Sequence, residues 1–349
     1  MARSGGAGFD TFALARSQVD CPGGALESVG SNATGRRFVV SLPAPSSEYR
    51  ASLPAIWSAL IAVYLIWGST YLAIRYAVET TPPFLMAGVR FMISGAFLYV
   101  LRRAAGDPTP KPLEWRNAAI IGTFLLVGGN GGVVWAEQFV PSALAALLVA
   151  TVPLWMVLMD ALRPSGQRPR FMAANGIIIG FGGVILLIGF TTNHENPING
   201  YGAVALVLAS LFWAMGSLYG RYAALPPSPL LGTGMEMLSG GAVLLILACA
   251  LGEWSGFDHT AVSLRSALAL VYLTIIGAGA FVAYVWLLRV APTPLVATYA
   301  YVNPLVAVLL GYFWGQEPIT LRTLFAATLI VGSVILVSAP GRPVGPARR

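Results

Sequence analysis

Ten stretches of about 20 mainly apolar residues run through this chain, each long enough to cross the hydrocarbon core of a bilayer as a helix. They centre near Val63, Ile93, Leu125, Leu148, Ile179, Leu208, Leu244, Leu273, Ala300 and Ile330. No water is present in that core to satisfy backbone N–H and C=O groups, so spans of this length are helical. The connections are mostly short and marked by Pro, Gly or Asn, as in "ETTPP", "FVPS", "NHENPING", "LPPSP" and "GQEP". The fold class expected is therefore all-α integral membrane, with ten transmembrane helices. Composition agrees. Charged residues make up 10% of the chain, against about 25% in soluble domains, and mean hydropathy is +0.73.

The formal charge of +7 is scattered over short loops, which argues against nucleic acid as a partner and for topology. Arg102, Arg103, Lys111, Arg116, Arg163, Arg168, Arg170, Arg221, Arg289, Arg342, Arg348 and Arg349 fall on one side of the expected bundle. Arg75, Arg265 and Arg322 fall on the other, together with Glu79, Glu195, Glu253, Asp258 and Glu317. The positive-inside rule then puts the first, basic face and both termini in the cytoplasm. Cys21 and Cys249 are too few for a disulfide framework or a cysteine metal site.

Residues 1–54 differ from the rest. They are rich in Gly, Ser, Ala and Arg, hold no apolar run and lack the hydrophobic stretch of a signal peptide, which predicts a disordered tail. No Met occurs between Met1 and Met86, so a start at a later non-Met codon would leave this tail out of the protein. Residues 340–349 form a short basic tail on the cytoplasmic side.

An internal repeat is legible between these ends. "WGSTYLAIRYA" (Trp67–Ala77) aligns with "WAMGSLYGRYA" (Trp213–Ala223) at an offset of 146. The same offset lays "PFLMAGVRFMISGA" over "PLLGTGMEMLSGGA", superposing Pro83 on Pro229, Gly88 on Gly234 and Gly95 on Gly241. Further on, an offset of 151 places Trp135 on Trp286, Pro141 on Pro292 and Pro153 on Pro304. The repeats span residues 55–190 and 200–339, five helices each. Because five is odd, the copies enter the membrane from opposite sides and are inverted, the arrangement of many secondary transporters.

The ten-helix pattern, "IWGSTYLAIR", "PPFLMAGVRF", "VPSALAALLVATVPL" and "ATYAYVNPLVAVLLG" resemble the EamA-domain branch of the drug/metabolite transporter superfamily, nearest in wording to its YedA-like bacterial inner-membrane permeases. The resemblance covers about residues 55–340. It implies a central cavity lined by helices 1–4 and 6–9, with helices 5 and 10 peripheral. It also implies carriage of amino acids, other small metabolites or drugs, without fixing which.

Ionisable residues inside spans are rare and mark functional sites by default. Arg90 and Glu236 occupy equivalent positions in the two repeats, each about 10 Å into the membrane at 1.5 Å per residue. Three readings stand side by side: a lock between the halves, a substrate site with Arg90 on a carboxylate and Glu236 on an amine, or proton coupling through Glu236. Asn130, in "GGNGG", is read as a substrate ligand or an interhelical hydrogen bond, and Glu137 as solvated at the helix end. Pro153 and Pro304 are expected to kink helices 4 and 9 beside the cavity, with Thr151, Tyr299, Tyr301 and Asn303 flanking it. Trp67, Ser69, Thr70 and Tyr71 in helix 1 and Trp213, Ser217 and Tyr219 in helix 6 are further candidates. Gly176 and Gly180 of "GIIIG" suit close packing, either within the chain or in a homodimer through helices 5 and 10.

The alternatives are a membrane-embedded enzyme and a channel-like facilitator. The only histidines, His194 and His259, fall in loops, and no H-E-x-x-H or G-x-x-x-x-G-K-[ST] motif occurs. No catalytic residue, metal or cofactor is therefore expected. The partners expected are a small-molecule substrate and membrane lipid, and efflux is the expected direction.

Overall fold

Prolines and small polar caps set where the helices begin. Pro54, Pro83, Pro112 and Pro229 sit in first turns, where a missing N–H costs nothing. Asn199, Ser228 and Ser263 each accept a hydrogen bond from a backbone N–H of the turn they precede. The computed structural model describes residues 27–31, 37–41, 52–162, 171–188, 199–291, 293–296 and 298–338. Arg163, Arg168, Arg170, His194, Glu195, the 340–349 tail and the Arg289 side chain lie outside the described residues.

The described helices are α1 (Leu53–Ala77), α2 (Pro83–Ala104), α3 (Pro112–Ala136), α4 (Ser142–Leu162), α5 (Phe171–Ile188), α6 (Gly200–Gly220), α7 (Pro229–Ala250), α8 (Leu264–Val290), α9 (Tyr299–Phe313) and α10 (Leu321–Ser338). Seven of them are long and apolar enough to cross a membrane, and α5, α9 and α10 are shorter apolar helices. Each of the ten apolar runs corresponds to one helix. Exposed apolar side chains such as Phe97, Ile178 and Phe325 ring the bundle, as hydrocarbon-facing surfaces require.

The packing has two-fold character. Helix α1 lies on α8, and its counterpart α6 lies on α3; α2 packs on α7, α4 on α9 and α5 on α10. Each relation maps onto itself or onto another when the repeats are exchanged. The α2–α7 contact is the most extensive among the described helices, and glycines line it. A Cβ on Gly95 would stand 2.8 Å from Leu238 N and 3.0 Å from Gly234 O, and one on Gly241 would stand 3.0 Å from Met92 N. The expected "GIIIG" packing also falls within the chain: a Cβ on Gly176 would meet Val337 at 2.8 Å, and one on Gly180 would meet Ser333 Oγ at 2.5 Å.

The two faces of the bundle repeat the symmetry in their capping. Glu253, from the α7–α8 loop, accepts from Phe84 N (3.3 Å) and Leu85 N (2.8 Å) at the start of α2. Its sequence equivalent Asp107, from the α2–α3 loop, takes a hydrogen bond from Ser228 at the start of α7. Arg102 donates to both Asp107 oxygens at 2.9 and 2.8 Å. That ion pair, helped by Ser228, holds the Asp107 carboxyl below the usual carboxylate range.

Three helices depart from regular geometry. In α3 the segment Thr123–Gly131 is a π-helix, the wider winding often found at functional sites. In α4 the helix breaks at Ala150–Thr151, just ahead of Pro153, and α9, preceded by a separate turn Thr293–Val296, carries Pro304 inside.

The first 51 residues form a unit of their own. There the tail expected to be disordered holds an antiparallel hairpin, β1 (Glu27–Ser31) with β2 (Arg37–Ser41), in the register that sets Val29 opposite Val39. Val29, Phe38, Val39 and Val40 are the strand-forming residues of this otherwise Gly- and Ser-rich stretch.

Candidate functional site

A cavity of about 410 Å³ lies between the repeats, lined by α1–α4 of the first and α6–α9 of the second. Helices α5 and α10 contribute no lining residue. From α1 come Trp67, Thr70 and Tyr71, from α2 Arg90, and from α3 the π-helical Asn130. Helix α6 gives Trp213 and Ser217, α7 gives Glu236, and α9 gives Tyr299 and Asn303; both kink prolines, Pro153 and Pro304, line the cavity as well.

Four candidates do not line it: Thr151, Tyr301, Ser69 and Tyr219. Thr151 is fully buried in the α4 break, donating to Leu148 O (2.6 Å) and lying 3.0 Å from Ser210 Oγ, which also accepts from Trp155 Nε1. It repairs the broken helix. Tyr301 follows Tyr299 by two residues, about 200° around a helix, and so turns away from the cavity towards Tyr64. Of the other two, Ser69 bonds to Tyr272 Oη at 2.6 Å. The Tyr219 hydroxyl donates to Asn117 Oδ1 at 3.0 Å, beside a second depression near the basic face.

Arg90 and Glu236 form no direct ion pair. Arg90 is 6% exposed, donates to Asn130 Oδ1 at 2.9 Å and lies 4.4 Å from the centre of the Phe91 ring. Its charged neighbour is Glu137, on the α3 side. Glu236 has neither a hydrogen-bond nor an ion-pair partner among the described residues. The symmetry-related charges therefore face different surroundings.

Glu137 is not solvated. It is 2% exposed, and neither carboxylate oxygen has a hydrogen-bond partner among the described residues. Arg75, Arg90 and Glu317 are the charged groups around it. The π-helical segment just before it rotates the end of α3 relative to a regular helix, which turns this residue inward.

Glu317, in the α9–α10 loop, ties the acidic face together. It accepts from Ser142 N (2.7 Å), Ser142 Oγ (2.9 Å) and Ala143 N (2.9 Å) at the start of α4, and Arg75 approaches it at 3.4 Å. The Ser142–Val149 half of α4 packs on α9, whereas the Val152–Leu162 half, beyond the break, leans on α5, α6 and α10. The start of α4 and the end of α9 are thus joined through Glu317 at the acidic face. Near the basic face lies the second depression, of about 610 Å³, lined by Arg116, Asn117, Met159 and Tyr219 among others.

Sequence reasoning missed Phe281 and Tyr284, which complete an aromatic wall. Trp67 sits 6.0 Å from Phe281, 5.0 Å from Tyr284 and 5.2 Å from Tyr299, centre to centre. The repeat carries the signal that finds them: the offset of 151 sets Phe281 on Asn130 and Tyr284 on Val133, both of which line the cavity.

Comparison with known proteins places this architecture. The model of the EamA-like transporter family matches residues 54–189 and 200–339, one copy per repeat. The chain is 41% identical over 305 residues to the inner membrane transporter YedA of Escherichia coli strain K12, covering 85% of this chain and 96% of that protein. It is 24% identical over 302 residues to the Bacillus subtilis transporter YvbV, covering 83% and 94% of the two chains. A WAT1-related chloroplastic protein of Arabidopsis thaliana is 22% identical over 291 residues, covering 81% and 69%. One solved structure aligns with a TM-score of 0.56 at 24% identity, covering 81% of this chain and 97% of that one, a likeness of fold alone.

Proposed function

The chain belongs to the EamA-like transporter family, and from that membership we propose that it is a secondary-active carrier exporting a small metabolite, amino acid or drug-like molecule across the bacterial inner membrane by alternating access. The family and the names of its relatives point away from enzymatic activity. The observation that carries the proposal is a cavity lined by equivalent helices of both repeats. In such a frame, rocking one repeat against the other exposes one site alternately to the two sides. Broken helices beside the cavity support the reading, since irregular backbone at membrane depth is tolerated where it lines a polar space.

The excess of arginine and lysine on one face supports a cytoplasmic location for that face and for both termini. With α4 and α9 joined through Glu317 at the acidic face, we read the arrangement as an inward-facing state. In this scheme Arg90, Asn130 and Glu236 are the polar ligands of the substrate, and Trp67, Trp213 and Tyr299 hold its apolar body. Glu236 is the acid that exchanges a proton, and Pro153 and Pro304 are the hinges.

Flux into proteoliposomes, with and without a pH gradient, tests the scheme. A carrier gives saturable uptake that counterflow of unlabelled substrate accelerates; an ohmic single-channel current would defeat it. Everted and right-side-out vesicles separate export from import.

A further inference from the structure

The polar groups lining the cavity differ in what they have left to offer a ligand. Thr70 Oγ1 donates to Trp67 O (2.6 Å), Ser94 Oγ to Thr274 O (2.9 Å) and Ser217 Oγ to Trp213 O (2.8 Å). A hydroxyl has one proton and two lone pairs, so each of these now faces the cavity as an acceptor. The Tyr284 and Tyr299 hydroxyls are hydrogen-bonded to each other. Arg90 is already engaged with Asn130 and the Phe91 ring and has Glu137 as its charged neighbour. The Tyr71 hydroxyl, the indole N–H groups of Trp67 and Trp213 and the Asn130 amide N–H groups also line the cavity and can serve a ligand, so charge, not hydrogen-bonding capacity, separates the lining groups. Glu236 faces the cavity without a partner among the described residues. Asn303, 8% exposed and also lining the cavity, has an Oδ1 with no hydrogen-bond partner among the described residues. Beside Asn303 stands the aromatic wall, whose ring faces attract positive charge.

From this difference in charge we infer that the transported molecule is an organic cation: a protonated amine on an apolar, preferably aromatic, body, with Glu236 as its counter-charge. Asn303 Oδ1 takes an N–H of the ligand, and Trp67, Tyr284 and Tyr299 take its apolar part. The inference rests on the carrier reading above and narrows it. It shifts the weight of recognition from Arg90, which holds Asn130 and has Glu137 near it, to Glu236, which has no partner among the described residues.

The test uses one scaffold in three charge states against the purified full-length protein: phenethylamine, the neutral phenethyl alcohol and the anionic 3-phenylpropionate, with calorimetry as readout. The amine should bind more tightly than either of the others by about 10- to 100-fold, the worth of one charged hydrogen bond. Glu236→Gln should weaken the amine by a similar factor, and by more than it changes binding of the alcohol. Equal or tighter binding of the carboxylate, no binding of the amine at millimolar concentration, or unchanged amine affinity in a folded Glu236→Gln protein would each overturn the assignment. The ligand series on the unaltered protein carries the test even where the variant does not fold. Counterflow in proteoliposomes keeps the two readings apart. Amine binding without counterflow sinks the carrier and leaves the cation site; counterflow of the carboxylate but not the amine does the reverse.

Discussion

Glu317→Gln is the substitution whose effect follows most directly from the geometry. The carboxylate is 5% exposed and accepts three hydrogen bonds from the first residues of α4 while lying 3.4 Å from Arg75. Glutamine retains one acceptor oxygen but aims an amide NH₂ at the Ala143 N–H, so one charge-assisted bond is lost, at a cost of about 1.5–3 kcal/mol. The Arg75 side chain is 36% exposed, which discounts the broken ion pair to about 0.5 kcal/mol. Together the hold of Glu317 on the start of α4 weakens by about 2–3.5 kcal/mol, or roughly 30- to 400-fold in the closed-to-open ratio of the scheme proposed above. Val149, which lines the cavity, lies seven residues below Ser142, about 10 Å along the helix. With Val149→Cys in a Cys21→Ser, Cys249→Ser background, a membrane-impermeant maleimide added on the acidic side reads the opening as a labelling rate. That rate should rise by the factor above in Glu317→Gln, with thermal unfolding followed in parallel. A folded variant labelled at the parental rate would show that Glu317 is not what holds this face shut.

Three further substitutions probe the frame and the cavity. Gly95→Ala presses a methyl against Leu238 N and Gly234 O across the α2–α7 crossing and should cost about 1–3 kcal/mol, read as a lowered melting temperature in detergent; Gly241→Ala, its symmetry equivalent, should match it. Ser210→Ala leaves Trp155 Nε1 without its acceptor in the α4 break, for a loss of about 1–3 kcal/mol and a change in tryptophan emission. Arg90→Met removes the Asn130 bond and the cation facing Glu137, destabilising by about 1.5–3 kcal/mol. Adding Glu137→Gln should recover part of that loss, and strictly additive effects would argue against coupling between the two.

Much of this molecule could be read before its structure. Span length located the helices, and prolines marked both the starts and the kinks. The repeat paired Arg90 with Glu236 and set Trp67 over Trp213. What escaped did so for physical reasons. Lipid and protein interior are equally apolar, so hydrophobic periodicity does not distinguish a membrane helix's cavity face from its outer face. Tyr301 and Tyr299 look alike in sequence and end on different sides of α9. Glu137 reads as a helix-end acid because the extra width of the π-helical turn before it is invisible in composition. Phe281 and Tyr284 were within reach through the repeat offset, but their stretch of α8, "GAGAFVAYVW", holds no charged residue and no proline to mark it.

The opposite charges at the equivalent positions of α2 and α7, and the acid that latches α4, bear on how such a machine idles. Exchanging the two repeats would produce the outward-open arrangement, with the start of the second repeat's proline-broken helix latched from the α4–α5 loop. "GQEP" (Gly315–Pro318) is matched in that loop by "GQRP" (Gly166–Pro169), which sets Arg168 in the place of Glu317. The second latch therefore lacks the carboxylate of the first. In the alternating-access scheme proposed above, this difference would make the two end states unequal in energy, with the acidic side shut at rest. The return of the empty protein, not the passage of cargo, would then be the step whose rate the loops set.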